Sequence, residues 1–330
     1  MTDDPEAPPY AGLTPDLVIG ALEATGRYPD GRVLALNSYE NRVYQIGVEE
    51  GPPLVAKFYR PGRWSDACIV EEHQFALSLA AEEIPVVAPL VSPGGTTLHH
   101  FHGFRYSLFP RQGGRWPELE QPGILAWIGR FLGRIHRLGA SSDFHHRPSI
   151  NPPTDIPEAS RYLLDKEFIP VELMHRFERL YIELQQLIEA VFSDVSGQWI
   201  RLHGDCHPGN LLWADNGPHF VDLDDCRMGP AIQDLWMLLS GDRDEMTGQL
   251  TSLLEGYELF MDMDRRQLRL IEPLRTIRMV RYAAWLGERW NDPAFPSAFP
   301  WFNTHQYWQH HLTLLEQQLS ALAQPPLQPC

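Results

Sequence analysis

Lysine is almost missing from this 330-residue chain: Lys57 and Lys166 stand alone among 27 basic residues, the rest being arginine. Positive charge is scarce altogether. Asp and Glu number 43, the net charge is −16 and the sequence pI is about 5.3. That balance argues against sequence-independent binding to nucleic acid or to an anionic membrane surface, both of which need a basic face. The four cysteines (Cys68, Cys206, Cys226, Cys330) are scattered and form no C-x-x-C pair. A disulfide framework or zinc cage is therefore not expected, and a reducing cytoplasm fits. No run approaches the roughly 18 apolar residues of a membrane span. The N-terminal Met1–Pro9 carries Asp3, Asp4 and Glu6 and no apolar core, unlike a secretory signal. No G-x-x-x-x-G-K-[ST] loop occurs, which disfavours a P-loop enzyme.

What is present is an ordinary globular balance, 43% apolar and 21% charged, long enough for one large domain or two. The first third reads as strands. Val43–Val48, Leu54–Tyr59 and Phe104–Phe109 are short, rich in β-branched or aromatic residues, and separated by Gly and Pro. One helix is expected within this third, around Asp66–Glu82, with Ser65 as its cap. After the flexible break Arg111–Arg115 the period becomes helical. Ile124, Ile128, Phe131, Ile135 and Leu138 recur at spacings of three and four, and so do the apolar residues of Leu173–Val191 and Trp308–Leu322. A β-like stretch, Trp199–Asp225, interrupts the helical region. The expected architecture is α+β: a small β-rich lobe over 1–110, a hinge over 111–115 and a mainly helical lobe over 116–330, with a ligand cleft between them.

The polar residues of interest concentrate in HGDCHPGN (His203–Asn210) and FVDLDD (Phe220–Asp225). Asp205, in a Gly/Pro-bounded loop, can orient a hydroxyl and accept its proton. Asn210 and Asp222, the latter expected at the end of a strand His219–Val221, offer hard oxygens suited to Mg²⁺. Mg²⁺ held by so few protein carboxylates completes its shell with water and substrate phosphates, which predicts a nucleotide. Singly, such residues cap turns; the spaced set D-x4-N…D-L-D reads as a site. A zinc reading of His203, Cys206 and His207 needs a helix that Gly204, Pro208 and Gly209 oppose. Lys57 lies inside an apolar strand, where a compact ammonium suits phosphate oxygens. A carboxylate must hold it, Glu72 or alternatively Glu71. The alternative is a lysine snorkelling from a strand edge. Asn37–Tyr44 (NSYENRVY) is placed to cover phosphates, with Ser38 and backbone amides as contacts, though it contains no glycine. Asp234 either caps the run Leu235–Leu239 or braces the Asp205 loop, with Asp224 and Asp225 standing behind Asp222. Trp285, Trp290, Trp301 and Trp308 read as core more than as pocket lining.

Together these blocks resemble the protein-kinase-like phosphotransferases, the superfamily that includes aminoglycoside and choline kinases. Longer stretches sharpen the likeness: LNSYENRVYQ (Leu36–Gln45), VAKFYRPGRW (Val55–Trp64), EEHQFAL (Glu71–Leu77), QDLWMLL (Gln233–Leu239) and DPAFPSAFPW (Asp292–Trp301). They are similar to a bacterial stress-response branch of serine/threonine protein kinases, over about Leu13 to Leu327. The resemblance implies a two-lobed kinase fold with ATP in the cleft, Mg²⁺, and phosphoryl transfer to serine or threonine of a protein, in the cytoplasm. It implies Asp205 as proton acceptor, Asn210 and Asp222 on Mg²⁺, Lys57 on the ATP phosphates and paired with Glu72, and Ser38 in the covering loop. Gly204 replaces the arginine of H-R-D, Asp222-Leu-Asp replaces D-F-G, and no A-P-E segment follows. Small-molecule kinases share these departures, so a metabolite acceptor is the alternative. A non-catalytic nucleotide-binding regulator is disfavoured because Lys57, Asp205, Asn210 and Asp222 are all intact. No nucleic-acid or membrane partner is expected, and a monomer is the simpler state.

Overall fold

The computed structural model describes residues 8–195 and 197–329. Most of the acidic N-terminal segment and Cys330 lie outside them. Helix α1 (Pro15–Glu23), capped by Thr14, precedes strands β1 (Pro29–Leu36), β2 (Arg42–Val48) and β3 (Leu54–Phe58). Helix α2 (Asp66–Ala81) follows, capped by the Ser65 hydroxyl as expected. Strands β4 (His99–Phe101) and β5 (Phe104–Pro110) form a hairpin turned by His102 and Gly103, both at positive φ. The five strands make one antiparallel sheet in the order β1-β2-β3-β5-β4.

Strand alternation decides what Lys57 does. Leu54, Ala56 and Phe58 face a core with Val18 and Leu22 of α1 and Tyr106 and Leu108 of β5. Val55 and Lys57 therefore face the opposite way, into the cleft. Lys57 lies in register between Val43 and Ser107.

The second lobe is mainly helical: α3 (Ile124–Gly139), α4 (Pro152–Asp165) and α5 (Val171–Asp194) come first. Short strands β6 (Ile200–Leu202), β7 (Leu211–Ala214), β8 (Gly217–Phe220) and β9 (Arg227–Gly229) follow, pairing as β6-β9 and β7-β8. Then come α6 (Ile232–Trp236), α7 (Arg243–Tyr257), α8 (Ile271–Glu288), α9 (Ala294–Ala298) and α10 (His305–Leu322). One core joins α3, α7 and the β-strands; the other joins α4, α5, α8 and α10. Helices α3 and α7 cross at backbone contact. A Cβ on Gly256 would lie 1.8 Å from the Ala126 carbonyl, so only glycine fits there.

His311 of α10 is buried in the second core, with Nε2 3.0 Å from the Tyr181 hydroxyl. Burial pushes its pKa down from 6.5 to about 4. The unfolded chain then binds more protons below pH 6.5, so this group's contribution is present above that pH and fades as pH falls. Between pH 7.5 and pH 5 the native protein should lose about 2 kcal/mol more stability than a His311→Gln variant. Urea unfolding of both proteins at the two pH values reads that difference.

Candidate active site

The loop His203–Asn210 leaves β6 and is fixed from behind by a fully buried carboxylate. Asp234 accepts the backbone N–H groups of His203 and Gly204, both at 2.8 Å. It also lies 3.0 Å from His136 Nε2, and His136 Nδ1 meets the Tyr257 hydroxyl at 3.0 Å. Asp234 is thus a brace rather than a cap, since the α6 N-cap is Ala231. Replacing it with alanine strands two buried amides and should cost about 3 kcal/mol, read as a lower denaturant midpoint at unchanged slope.

Gly204 has φ +85°, and a Cβ there would lie 2.2 Å from the Asp225 carbonyl oxygen. That contact gives the physical reason for H-G-D in place of H-R-D: this loop packs directly on the turn that follows Asp222. Both imidazoles are engaged within the site, against the zinc reading. His203 Nε2 lies 2.9 Å from the Val221 carbonyl, and His207 Nδ1 accepts the Gly209 amide at 2.9 Å. Asn210, in the short turn Pro208–Asn210, donates its side-chain N–H to the Asp205 carbonyl at 2.9 Å. Its amide oxygen is the end left for another partner.

Strand β8 stops at Phe220, one residue short of the expected strand end, and Asp222 takes a left-handed conformation, φ 60°. Asp tolerates that region better than most residues, and such strain clusters at functional sites. The Asp222 side chain is 51% exposed, whereas that of Asp224 is 4% exposed. Lys57 Nζ lies 2.9 Å from Asp222, 3.2 Å from Asp224 and 3.9 Å from Glu72. Glu72 is therefore the most distant of three carboxylates around the ammonium rather than its main holder. Burial opposes the charge on Lys57, but Asp222, Asp224 and Glu72 outweigh it and raise its pKa well above the usual value. Glu72 itself is shifted upward, because its burial outweighs the pull of Lys57. Glu71 points elsewhere and accepts the backbone amides of His145, His146 and Arg147. Arg63 bonds Asp224 and grips Asp225 at 2.9 and 3.0 Å; with Lys57 also on Asp224 and Arg227 on Asp225 at 2.8 Å, both acids stand behind Asp222 already paired with cations.

Asp205 is bonded by Arg278 of α8 and has His207 Nε2 at 3.4 Å. Burial raises its pKa, but the His207 hydrogen bond and the Arg278 charge prevail and hold it at about 2. Arg278 was not legible as a site residue; its only sequence signal is the spacing Arg275, Arg278, Arg281 on one helix. Arg281 in turn bonds Asp155 of α4 at 2.7 Å. The four tryptophans divide. Trp308 is buried in the second core, Trp290 packs against that core, and Trp301 is half exposed. Trp285 packs against the same core, as its core reading has it, and also lines the cleft. Ser38 donates to the Asn41 carbonyl at 3.1 Å within the turn after β1.

Ser38, Lys57, Glu72, Asp205, Asn210 and Asp222 all border one interlobe cavity of about 1650 Å³. A single ligand pocket runs to roughly 1,000 Å³, so there is room for two reactants. Residues 32–271, which include all six, match the model of a family described as "Phosphotransferase enzyme family". The chain belongs to the phosphotransferase enzyme family. This phosphotransferase is 46% identical over 319 residues to Stress response kinase A of Escherichia coli (strain K12), covering 97% of this chain and 96% of the relative. It is 45% identical over 325 residues to Serine/threonine protein kinase RdoA of Salmonella typhimurium (strain LT2), with the same coverage. Among solved structures, amicoumacin kinase hAmiN in complex with AMP-PNP, Ca²⁺ and Ami superposes with a TM-score of 0.74 at 19% identity, over 95% of each chain. A microcompartment-associated aminopropanol kinase gives 0.69 at 19% identity, over 95% of this chain and 99% of that one. These last two carry the fold: a β-rich lobe and a helical lobe, α+β as expected.

Proposed function

We propose that this phosphotransferase moves the γ-phosphoryl group of ATP to a serine or threonine hydroxyl of a protein. The observation that carries the reading is the cleft itself, where Lys57, Asp222 and Asn210 lie on the same cavity as Asp205. The apolar side chains of Leu36, Val43, Val55, Phe109, Leu212 and Val221 line that cavity from both lobes and suit a purine ring. Lys57 would meet the phosphate oxygens, while Ser38 and its turn would cover them. Asp222 and the free oxygen of Asn210 form a hard donor pair that fits Mg²⁺. Bound there, the metal supplies charge neutralisation on the phosphate oxygens. Asp205 orients the acceptor hydroxyl; the new O–P bond forms as the bond to the β-phosphate oxygen breaks, and Asp205 takes the hydroxyl proton. The protein acceptor, the stress role and a cytoplasmic setting are supported by what the relatives at 45–46% identity are called. The same reading gives nucleotide to the lobe ending at residue 110, acceptor to the lobe from 116, and the swing between them to 111–115, in a monomer.

A second reading is a small-molecule acceptor. Tyr282 and Trp285, with ring centres 5.6 Å apart, line the cavity near Arg278 and suit a compact organic acceptor. Incubation with γ-labelled ATP, Mg²⁺, a protein acceptor and a cell extract separates the two. Label on protein serine or threonine, absent with Asp205→Ala, supports the first; label confined to small molecules replaces it with the second.

A further inference from the structure

Glu40 stands in the glycine-free turn Asn37–Asn41 and reaches across the cleft to the end of α8. Its Oε2 accepts hydrogen bonds from Trp285 Nε1 and Arg289 Nε, both at 2.6 Å. Its Oε1 lies 3.2 Å from Arg289 Nη2, 3.0 Å from Arg60 Nε and 3.7 Å from Arg63 Nε. Beside this cluster, Asp292 accepts Arg60 Nη2 at 2.7 Å and Arg42 Nη2 at 3.3 Å. The Tyr39 ring packs on Phe299 with centres 4.9 Å apart. The side chains of Glu40, Arg60, Arg63, Arg289 and Asp292 are each 14% exposed or less. The segment Asp292–Trp301, so distinctive in sequence, thus receives the nucleotide lobe's turn.

A glycine-rich loop covers phosphates because its backbone can come close and adopt positive φ. This turn has no glycine, and none of residues 37–41 takes a positive φ. Its position over the cleft must be imposed from outside. Buried ion pairs add little net stability against apolar replacements, but they can fix one arrangement over others. We propose that Glu40 is a positioning residue: clasped by Arg289 and Trp285, it holds Ser38 and the amides of its turn over the phosphates of bound ATP. Lobe closure and phosphate cover then form as one event. The proposal rests on the reading of the cleft as an ATP site.

The test compares Mg·ATP with adenosine, which lacks phosphates, as titrants of the full-length protein. Glu40→Gln keeps the shape and removes the charge; Arg289→Gln breaks the same clasp from the helical lobe and leaves the turn's sequence intact. Each should weaken ATP binding by roughly tenfold or more and leave adenosine binding within about twofold, because the loss falls on a desolvated charge pair that acts only on phosphate. The double variant should bind ATP no worse than Glu40→Gln alone, since the Glu40–Arg289 pair that Arg289→Gln breaks is already lost in it. In turnover, KM for ATP should rise more than kcat falls. Unchanged ATP affinity in both variants overturns the proposal, and so does parallel loss of ATP and adenosine, which signals general damage to lobe packing. Wild-type protein that binds adenosine but gains nothing from the phosphates overturns the ATP reading and the clasp with it.

Discussion

Replacing Asp205 with asparagine is expected to cut phosphoryl transfer by roughly 10³-fold while Mg·ATP affinity stays within about threefold. Asparagine keeps the side chain's size and one acceptor oxygen, so the loop held by Asp234 should survive. What disappears is the negative charge facing the acceptor hydroxyl. The pKa of Asp205 is held at about 2, against its own burial, by the His207 hydrogen bond and Arg278. It is therefore ionised at every working pH, and its acid limb in a pH–rate profile should fall well below pH 4. A carboxylate this acidic is a weak base towards an unperturbed hydroxyl. Its contribution comes from orienting that hydroxyl and receiving the proton once the oxygen has begun to bond phosphorus and its proton has become acidic. Single-turnover kinetics beside nucleotide titration read the two effects separately. Near-normal turnover in Asp205→Asn would remove Asp205 from the chemistry altogether.

How much of this was legible in sequence differs by residue. Lys57 stands out in sequence because lysine is so rare here and because it lies inside an apolar strand; that its face of the strand meets the cleft comes from the structure. Asp205, Asn210 and Asp222 are close enough in sequence for spacing to be informative. The helix at Asp66–Ala81 announced itself by its Ser65 cap, and α3, α5 and α10 by regular apolar spacing. Helix α4 is masked in sequence by Pro152, Pro153 and Pro157, although the first two occupy the helix start, where a missing N–H costs nothing. Helix α7 carries a capping box, Asp242 with Glu245, a local signal of its start. Helix α8 is buried along much of its length and alternates apolar residues with arginines, so no single stripe stands out. Arg278 and Arg289 therefore carry no local signal of a site, and Trp285 reads as core more than as pocket lining. Such partners lie more than 70 residues from Asp205 and about 250 from Glu40. Only the fold brings them together, because no local pattern encodes a contact across two lobes.

Replacing Asp222 with alanine is expected to remove the metal dependence of nucleotide binding, raising the Kd for ATP in Mg²⁺ roughly 100-fold, towards its metal-free value. Three carboxylates surround Lys57, but they are not equivalent. Asp224 is buried and spent on Arg63, Lys57 and Asn41. Glu72 is buried and shifted towards its neutral form. Asp222 alone of the three has a half-exposed side chain on the cavity. Losing it costs Lys57 its nearest partner yet leaves buried Asp224 as a counter-charge at 3.2 Å, with Glu72 farther off at 3.9 Å. Stability should therefore change by only about 1 kcal/mol, mostly the strain of alanine at φ 60°. Asp222→Asn separates that strain from the charge, since asparagine accepts the left-handed conformation readily. It keeps one oxygen and loses the anion, and an intermediate Mg²⁺ dependence is expected. Titrating ATP with and without Mg²⁺ against both variants decides the matter. A full Mg²⁺ effect surviving in Asp222→Ala would move the cation to other carboxylates, Asp205 or Asp225, and would break the pairing of Asp222 with Asn210.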